Sequence, residues 1–394
     1  MTQTTKLGFI ADSHLRTSQY GSAQRGHDFL NAVLSAIHVA HAEGITTILH
    51  GGDLLDTAKI DGPVFAQLRH IDDLLKELGM RMLAITGNHD MSHDVWHNQL
   101  NPESCFKLQE DGSWDVIGSG LFCIDYKLVN VGELKVLGLP FMLPSKLRDT
   151  LEIFPQLHPG KTVDILMWHG VVKEFLGFSG DDAIRAEDFS QHSYITNVML
   201  GDIHARKFYA LRGNTGGKGI IGYPGSTEMC KSDEETQKSI TVLSALAPGS
   251  LEVSALPITT RPFWRRHIAS ETAMQSLLAE LQAFKGAFGP VVCAVVTAEI
   301  EQFSSRVRAA SPMGTLLLDP RVMSSLAGAT ATFDLSSTGE VTAEAPTDLV
   351  GMIRTVLPGV VADADFEAFA AITRNPDAAE GILRARVAEI TTNN

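Results

Sequence analysis

Apolar and polar positions along the first ninety residues switch between two periods. Residues 7–11 form a short apolar run ending in Asp12-Ser13-His14. Phe29, Leu30, Val33, Leu34, Ile37 and Ala40 then recur at three- and four-residue spacing up to Gly44, which predicts a helix with one buried face. A β-branched run at 45–49 ends in Gly51-Gly52-Asp53, a helix is predicted over about 63–78 and closed by Gly79, and a strand over 82–86 runs into Gly87-Asn88-His89-Asp90. The order β-α-β-α-β, with short connections and nearly continuous apolar strands, predicts a buried sheet with helices packed on its faces.

Beyond residue 118 the pattern becomes hairpin-like, with a turn at Val131-Gly132-Glu133. Two more buried strands, 163–168 and 194–200, lead into His169-Gly170 and Gly201-Asp202-Ile203-His204. The Gly-rich stretch 212–224 reads as a loop or hairpin, and 239–246 as a strand. Near Pro257 the character shifts to a linker, then to a strand at 267–269, a helix at 271–284 and a strand at 291–300. Past Gln302 signals are sparse until helical periodicity returns at 365–371 and 378–390.

Composition narrows the class. The chain has 394 residues, room for two or three domains, and 44% of them are hydrophobic, which excludes a disordered chain. Its formal net charge of −14 argues against coating nucleic acid or anionic membrane by bulk charge. The four cysteines, Cys105, Cys123, Cys230 and Cys293, have no framework spacing, so free thiols in a reducing compartment are expected. No signal peptide or membrane-spanning run is read, and the expected location is the cytoplasm, that of the host if the chain is phage-encoded.

Five loops, each after a predicted strand, carry ligand-type side chains: Asp12 and His14, Asp53, Asn88 and His89, His169, and Asp202 with His204. In α/β sheets the loops at the carboxyl ends of strands meet in one crevice. Nitrogen and oxygen donors without thiolate suit Mn²⁺, Fe, Zn²⁺ or Mg²⁺, and a lone aspartate in a Gly-Gly turn suits a bridge between two ions.

This ordered set resembles the calcineurin-like metallophosphoesterases over about residues 6–245. The resemblance implies an α/β fold, a sandwich of sheets flanked by helices. It implies that Asp12, His14, Asp53 and His204 hold one ion and Asp53, Asn88, His169 and Asp202 a second, with Mn²⁺ expected first and Mg²⁺ next. It gives His89 to the scissile phosphate, as a charge-stabilising or proton-donating group, and Asp90 the role of orienting the His89 ring. The family usually has Gly-His-x-His in the last motif. Asp202 in place of the first histidine predicts a harder second site that discriminates less against Mg²⁺.

No arginine stands in the stretches 54–57 or 84–87, shortly after Asp53 and just before Asn88, unlike in the protein Ser/Thr phosphatases. The stretch 52–57 is similar instead to the nuclease branch, the SbcD exonuclease subunit and its bacteriophage recombination counterparts, and 222–228 and 257–263 resemble that branch's substrate-side loop and the entry to its cap. This similarity implies a two-metal DNA exonuclease, with possible endonuclease action, in repair and recombination. It would comprise a phosphoesterase domain (1–256), the start of a smaller α/β cap (257–301), and the remainder of the cap (302–394) with a helical tail whose apolar residues bind a partner or form a small core of their own. A homodimer, a coiled-coil ATPase partner of the SbcC type and no membrane contact are expected. Because DNA demands local cations, Lys173, Arg206, Lys207, Arg212, Lys218 and Lys231 are the candidate phosphate contacts. A small-molecule phosphodiesterase and a catalytically weak scaffold remain the alternatives.

Overall fold

The computed structural model describes residues 5–90, 105–176, 183–211, 219–247, 250–286, 288–297, 300–318 and 321–323. The expected helices at 365–371 and 378–390, and with them the partner-binding tail, lie outside these residues, as do Arg212 and Lys218.

The opening pattern folds as its periodicity requires. Strand β1 (Lys6–Ile10), helix α1 (Ala23–Ala42), β2 (Thr47–His50), α2 (Gly62–Glu77) and β3 (Arg81–Ala84) succeed one another, with β1, β2 and β3 parallel. Helix α2 starts where Asp61 accepts the Val64 N–H at 2.9 Å and stops before Gly79, whose φ of +66° suits only a residue without Cβ. To this sheet are added β6 (Gly120–Cys123) on one side and the antiparallel pair β13 (Ser239–Ala247) and β14 (Ser250–Pro257) on the other.

A second sheet of eight strands contains β4 (Phe106–Leu108), β5 (Trp114–Val116), the hairpin β7 (Leu128–Val131) and β8 (Leu134–Leu139), β9 (Val163–His169), β10 (Ile195–Gly201), β11 (Lys207–Leu211) and β12 (Gly219–Tyr223). The hairpin turns at Gly132, as the pattern predicts.

Alternation along the strands explains why they look apolar throughout. Leu7, Phe9, Leu49 and Leu83 from the first sheet meet Val136, Ile165, Met167 and Met199 from the second in an inter-sheet core. The alternate positions Ile10, Ile48 and Met82 turn outward to α1 and α2, and Leu166, Trp168, Val198 and Leu200 turn outward to α3 (Pro144–Leu157) and the short helices α4 (Lys173–Leu176) and α5 (Ala186–Ser190). The result is an α/β sandwich with helices on both outer faces. Each fully buried Leu, Ile or Phe contributes about 1.5–3 kcal/mol to it.

After residue 257 comes a third, smaller sheet: β15 (Phe263–Ile268), α6 (Glu271–Ala283) and β16 (Val291–Thr297) form a parallel β-α-β unit, then α7 (Phe303–Ala310), β17 (Leu316–Leu317) and β18 (Arg321–Met323). Met274, Leu277 and Leu281 of α6 pack on Ile268, Val292, Val296 and Val307. Arg261 in the linker ties this unit down: its Nη1 donates to Asp28 Oδ2 at 3.1 Å and its Nε to Gly289 O at 2.8 Å. Beside it the fully buried Arg25 donates to Asp28 Oδ2 (3.1 Å), Glu228 Oε1 (3.3 Å) and Met229 O (2.8 Å).

Three readings of the sequence are sharpened. Of the loop and hairpin readings for 212–224, the hairpin is the one that agrees: β12 pairs antiparallel with β11, an edge strand largely exposed to solvent. The strand expected at 267–269 begins four residues earlier, at Phe263. Helix α7 gives no sequence signal because only Phe303 and Val307 of its eight residues are buried.

Candidate metal centre

Both large sheets deliver ligand-bearing loops to one edge. β1 runs into Asp12 and His14, β2 into Asp53, β3 into Asn88 and His89, while β9 ends at His169 and β10 leads to Asp202 and His204. Backbone bonds lock the loops together: Asp12 N donates to Gly52 O (3.0 Å), His14 N to Asp53 O (2.9 Å), and Asp202 N to Asp12 Oδ1 (3.0 Å). Asp12, His14, Asp53 and Asp202 all have positive φ, at 52°, 44°, 53° and 105°. Such backbone is unfavourable for residues with a Cβ and collects where surrounding structure forces it, typically at functional sites. A Cβ on Gly87 would lie 2.1 Å from Asp53 Oδ1, so this position must be glycine for the loops to close.

Asp53 is the hub. Its Oδ2 lies 3.5 Å from His169 Nε2, 3.7 Å from His14 Nε2 and 4.0 Å from His89 Nε2. Asp12, Asp53 and His169 form one group of converging ligand atoms; His14, Asp53 and His89 form another, and His14, His204 and Cys230 a third. Asp53 belongs to two of them.

The hydrogen bonds fix which lone pairs point inward. His169 Nδ1 donates to Gly51 O at 2.9 Å, so the neutral ring turns an Nε2 lone pair toward Asp53 and toward Asn88 Oδ1, 2.9 Å away. His204 Nδ1 donates to Glu234 Oε1 at 2.6 Å, and its Nε2 faces His14 Nε2 at 3.3 Å. Acceptor thus meets acceptor at His169 Nε2 and Asn88 Oδ1, and the Nε2 atoms of His14 and His204 have one proton at most to share. Such contacts need a proton or a cation between them. The protonation states agree: burial opposes charging His169, but the hydrogen bond and charge of Asp53, with Asp12 and Asp202, carry its pKa up to about 9. Burial likewise opposes ionisation of Asp53, yet His169 and His14 hold it down at about 2. Buried nitrogen and carboxylate donors with imidazoles oriented from behind fit hard and borderline divalent ions.

All seven expected ligands sit at this edge, but not in equal roles. Asp202 joins none of the three groups; its backbone caps Asp12, and its charge acts on His169. His89 is half-exposed, with its ring edge-on to His14 at 4.9 Å between centroids.

Asp90 does not orient the His89 ring. Its fully buried carboxylate accepts from the backbone N–H groups of Leu54 (3.1 Å), Leu55 (2.7 Å) and Gly87 (3.0 Å), and so ties the Asp53 loop to the Asn88 loop. Burial and the charge of Asp53 raise its pKa to about 7. The carbonyl of Asp56 holds His89 instead, accepting from Nδ1 at 2.7 Å.

Of the candidate phosphate contacts, Lys173 is partly buried and Lys231 exposed beside the site loops, and Lys207 Nζ donates to Phe175 O at 3.2 Å. Arg206 points into the framework, donating to Thr241 Oγ1 and Ser254 O.

Sequence reasoning missed Glu234, Asp56 and Cys230. Glu234 also accepts from Ser226 Oγ (2.9 Å) and Lys238 Nζ (2.8 Å), and against the effect of burial His204 and Lys238 keep its pKa near 2. The carboxylate three residues beyond Asp53 was the available signal for Asp56. The loop carrying Glu234 and Cys230 has no periodicity to mark them.

A sandwich whose parallel strands end in converging carboxylates and imidazoles defines a metal-binding hydrolase scaffold. The calcineurin-like phosphoesterase family profile matches residues 5–214, more than half the chain, and the chain belongs to that family. It is 30% identical over 236 residues to the "DNA double-strand break repair protein Mre11" of Sulfurisphaera tokodaii, covering 58% of this chain and 56% of that protein. The proteins of the same name from Methanosarcina mazei and Haloferax volcanii are 24% and 26% identical over 268 residues, covering 67% and 66% of this chain and 40% and 53% of theirs. The chain therefore matches about half the length of these relatives. Among solved structures, the NAD nucleotidase of Haemophilus influenzae aligns at a TM-score of 0.34 and 9% identity over 78% of this chain and 60% of its own, too little to carry an argument. Among the described residues no helix is long and apolar enough to cross a membrane.

Proposed function

We propose that this chain is a divalent-metal-dependent DNA nuclease of the SbcD-like branch, hydrolysing phosphodiester bonds in double-strand break repair with a coiled-coil ATPase partner. The observation that carries the reading is Asp53 Oδ2, set 3.5–4.0 Å from three imidazoles contributed by three separate loops. The names of the relatives favour DNA over a small diester. Asp12, His14, Asp53 and His204 would hold one ion, and Asp53, Asn88 and His169 a second, with Asp202 alongside. Two such ions, when bound, would supply a nucleophilic water at neutral pH and positive charge at the phosphoryl oxygens.

The protein's own groups do the rest. His89 Nδ1 is committed to Asp56 O, so Nε2 is the atom that faces substrate. There it donates to a phosphoryl oxygen or protonates the departing sugar oxygen. Asp90 fixes the spacing between His89 and Asp53 through the three backbone bonds it accepts. Exposed Lys231 and Lys207 flank the loops after β10 and β12, and they supply the local positive charge that a chain of net −14 otherwise lacks. Mn²⁺ is the expected ion and Mg²⁺ the second.

The test is incubation of the purified chain with Mn²⁺ and linear duplex DNA, in parallel with an aryl phosphodiester and with and without the ATPase partner. DNA degradation supports the reading. Turnover of the aryl diester alone, even with the partner present, overturns it in favour of a small-molecule phosphodiesterase.

A further inference from the structure

Glu234 holds more than one imidazole. While Oε1 accepts from His204 Nδ1 at 2.6 Å, Oε2 accepts the backbone N–H of Cys230 at 3.2 Å. One carboxylate therefore sets the His204 ring and the Cys230 backbone side by side. A ring nitrogen of His14, one of His204 and the Cys230 Sγ lie within 4.8 Å of one another.

A second observation is independent of the thiol. The Nε2 atoms of His14 and His204 face each other at 3.3 Å, and Glu234 has already taken the Nδ1 proton of His204, so the neutral ring presents a lone pair there. His14 is 3% exposed, and its Nδ1, without a hydrogen bond, lies 3.6 Å from Asp56 Oδ1, which leaves Nε2 as the atom turned to His204. Two imidazoles, one buried and one partly so, thus converge on a gap that holds at most one proton between their Nε2 atoms, and a thiol stands at ligand distance.

We propose that His14, His204 and Cys230 form a site for a thiophilic cation such as Zn²⁺ or Cd²⁺, distinct in donor set from the oxygen-rich site around Asp12 and Asp53. Two imidazole nitrogens and a thiolate favour borderline and soft ions, which bind at about 2.0–2.1 Å to nitrogen and about 2.3 Å to sulfur. Binding sends the thiol proton to solvent and turns Sγ away from Glu228 O, now 3.6 Å off. The consequence rests on the nuclease reading: both histidines also belong to the hard-ion centre, so a thiophilic ion withdraws them from it and inhibits cleavage.

The experiment titrates the metal-free full-length chain with Co²⁺ alone and records near-ultraviolet absorption. A sulfur-to-cobalt charge-transfer band is expected, and it is lost in Cys230→Ser, which still carries Cys105, Cys123 and Cys293. A second measurement uses only the unmodified chain: alkylation of Cys230 by iodoacetamide, read by peptide mass spectrometry, slows when Zn²⁺ is added. No band, a band that survives in Cys230→Ser, or alkylation indifferent to Zn²⁺ overturns the site. Mn²⁺-dependent DNA cleavage by the unmodified chain, with and without the ATPase partner, is scored separately. Its absence overturns the nuclease reading and leaves the cobalt band standing.

Discussion

Two buried polar clusters flank the loop after β12, and they balance charge in opposite ways. At the junction with the third sheet, the guanidinium groups of Arg25 and Arg261 meet the carboxylates of Asp28 and Glu228, two positive charges against two negative. Every contact there is supplied by the chain, save that Glu228 Oε2 has no hydrogen-bond partner. At the strand ends Asp12, Asp53, Asp90 and Asp202 gather, and among the described residues no lysine or arginine is ion-paired with any of them. The chain's own counter-charge is a proton on His169 or His204, whose pKa values these carboxylates and Glu234 raise. Buried ions are tolerated only when paired. The junction therefore serves folding, whereas the strand-end cluster depends on a cation from outside.

The largest effect should come from removing the hub. Asp53→Asn keeps the volume and the acceptor for His89 N, 2.9 Å away, but loses the charge. We expect metal content by elemental analysis to collapse and cleavage to fall to background. Retention of a full complement of metal would break the contrast between the clusters. His89→Ala is expected to lower kcat by about 10²–10⁴-fold with metal content unchanged, and normal cleavage would remove His89 from the reaction.

The junction should respond in stability rather than in metal content. Arg25→Met leaves Asp28 and Glu228 without one buried partner and should destabilise by about 3–5 kcal/mol in urea unfolding. A loss below about 1 kcal/mol would mean that this cluster, too, is not what holds the fold.

In chelator, the His169–Asp53 pair gives a pH signature. The folded pKa of His169, about 9, lies above its unfolded value of 6.5, so its contribution is fully present below pH 6.5 and lost as pH rises through 9. Metal-free protein should thus lose on the order of 2 kcal/mol across that window. A flat profile would argue that no proton occupies the gap. The smallest effect is expected for Glu234→Gln, about 10–100-fold weaker metal binding by titration calorimetry, with the fold retained.

How much of this was legible depended on whether a residue sits where periodicity changes. Each loop bearing Asp12, Asp53, Asn88, His169 or His204 comes after an apolar strand, so position along the chain already implied convergence. The roles of Asp90 and His89 were harder, because a neighbour in sequence is not a neighbour in hydrogen bonding. Asp90 turns down into the backbone of residues 54, 55 and 87, while the ring of His89 finds Asp56 O, thirty-three residues away. Glu234 and Cys230 lie on a loop whose shape comes from tertiary contacts, among them Arg265 Nε donating to Ser232 O at 2.5 Å from the third sheet. No local pattern encodes such contacts.

The left-handed backbone at Asp12, His14, Asp53 and Asp202 also filters what evolution can try there. Asp, Asn, His and Gly tolerate such dihedrals, whereas Val, Ile and Thr do so badly, so the accessible routes away from a ligand lead to Asn or Gly before they lead to a bulky side chain. A descendant that had lost its chemistry would be expected to keep these loops in outline, with amides or glycines where carboxylates and imidazoles now stand.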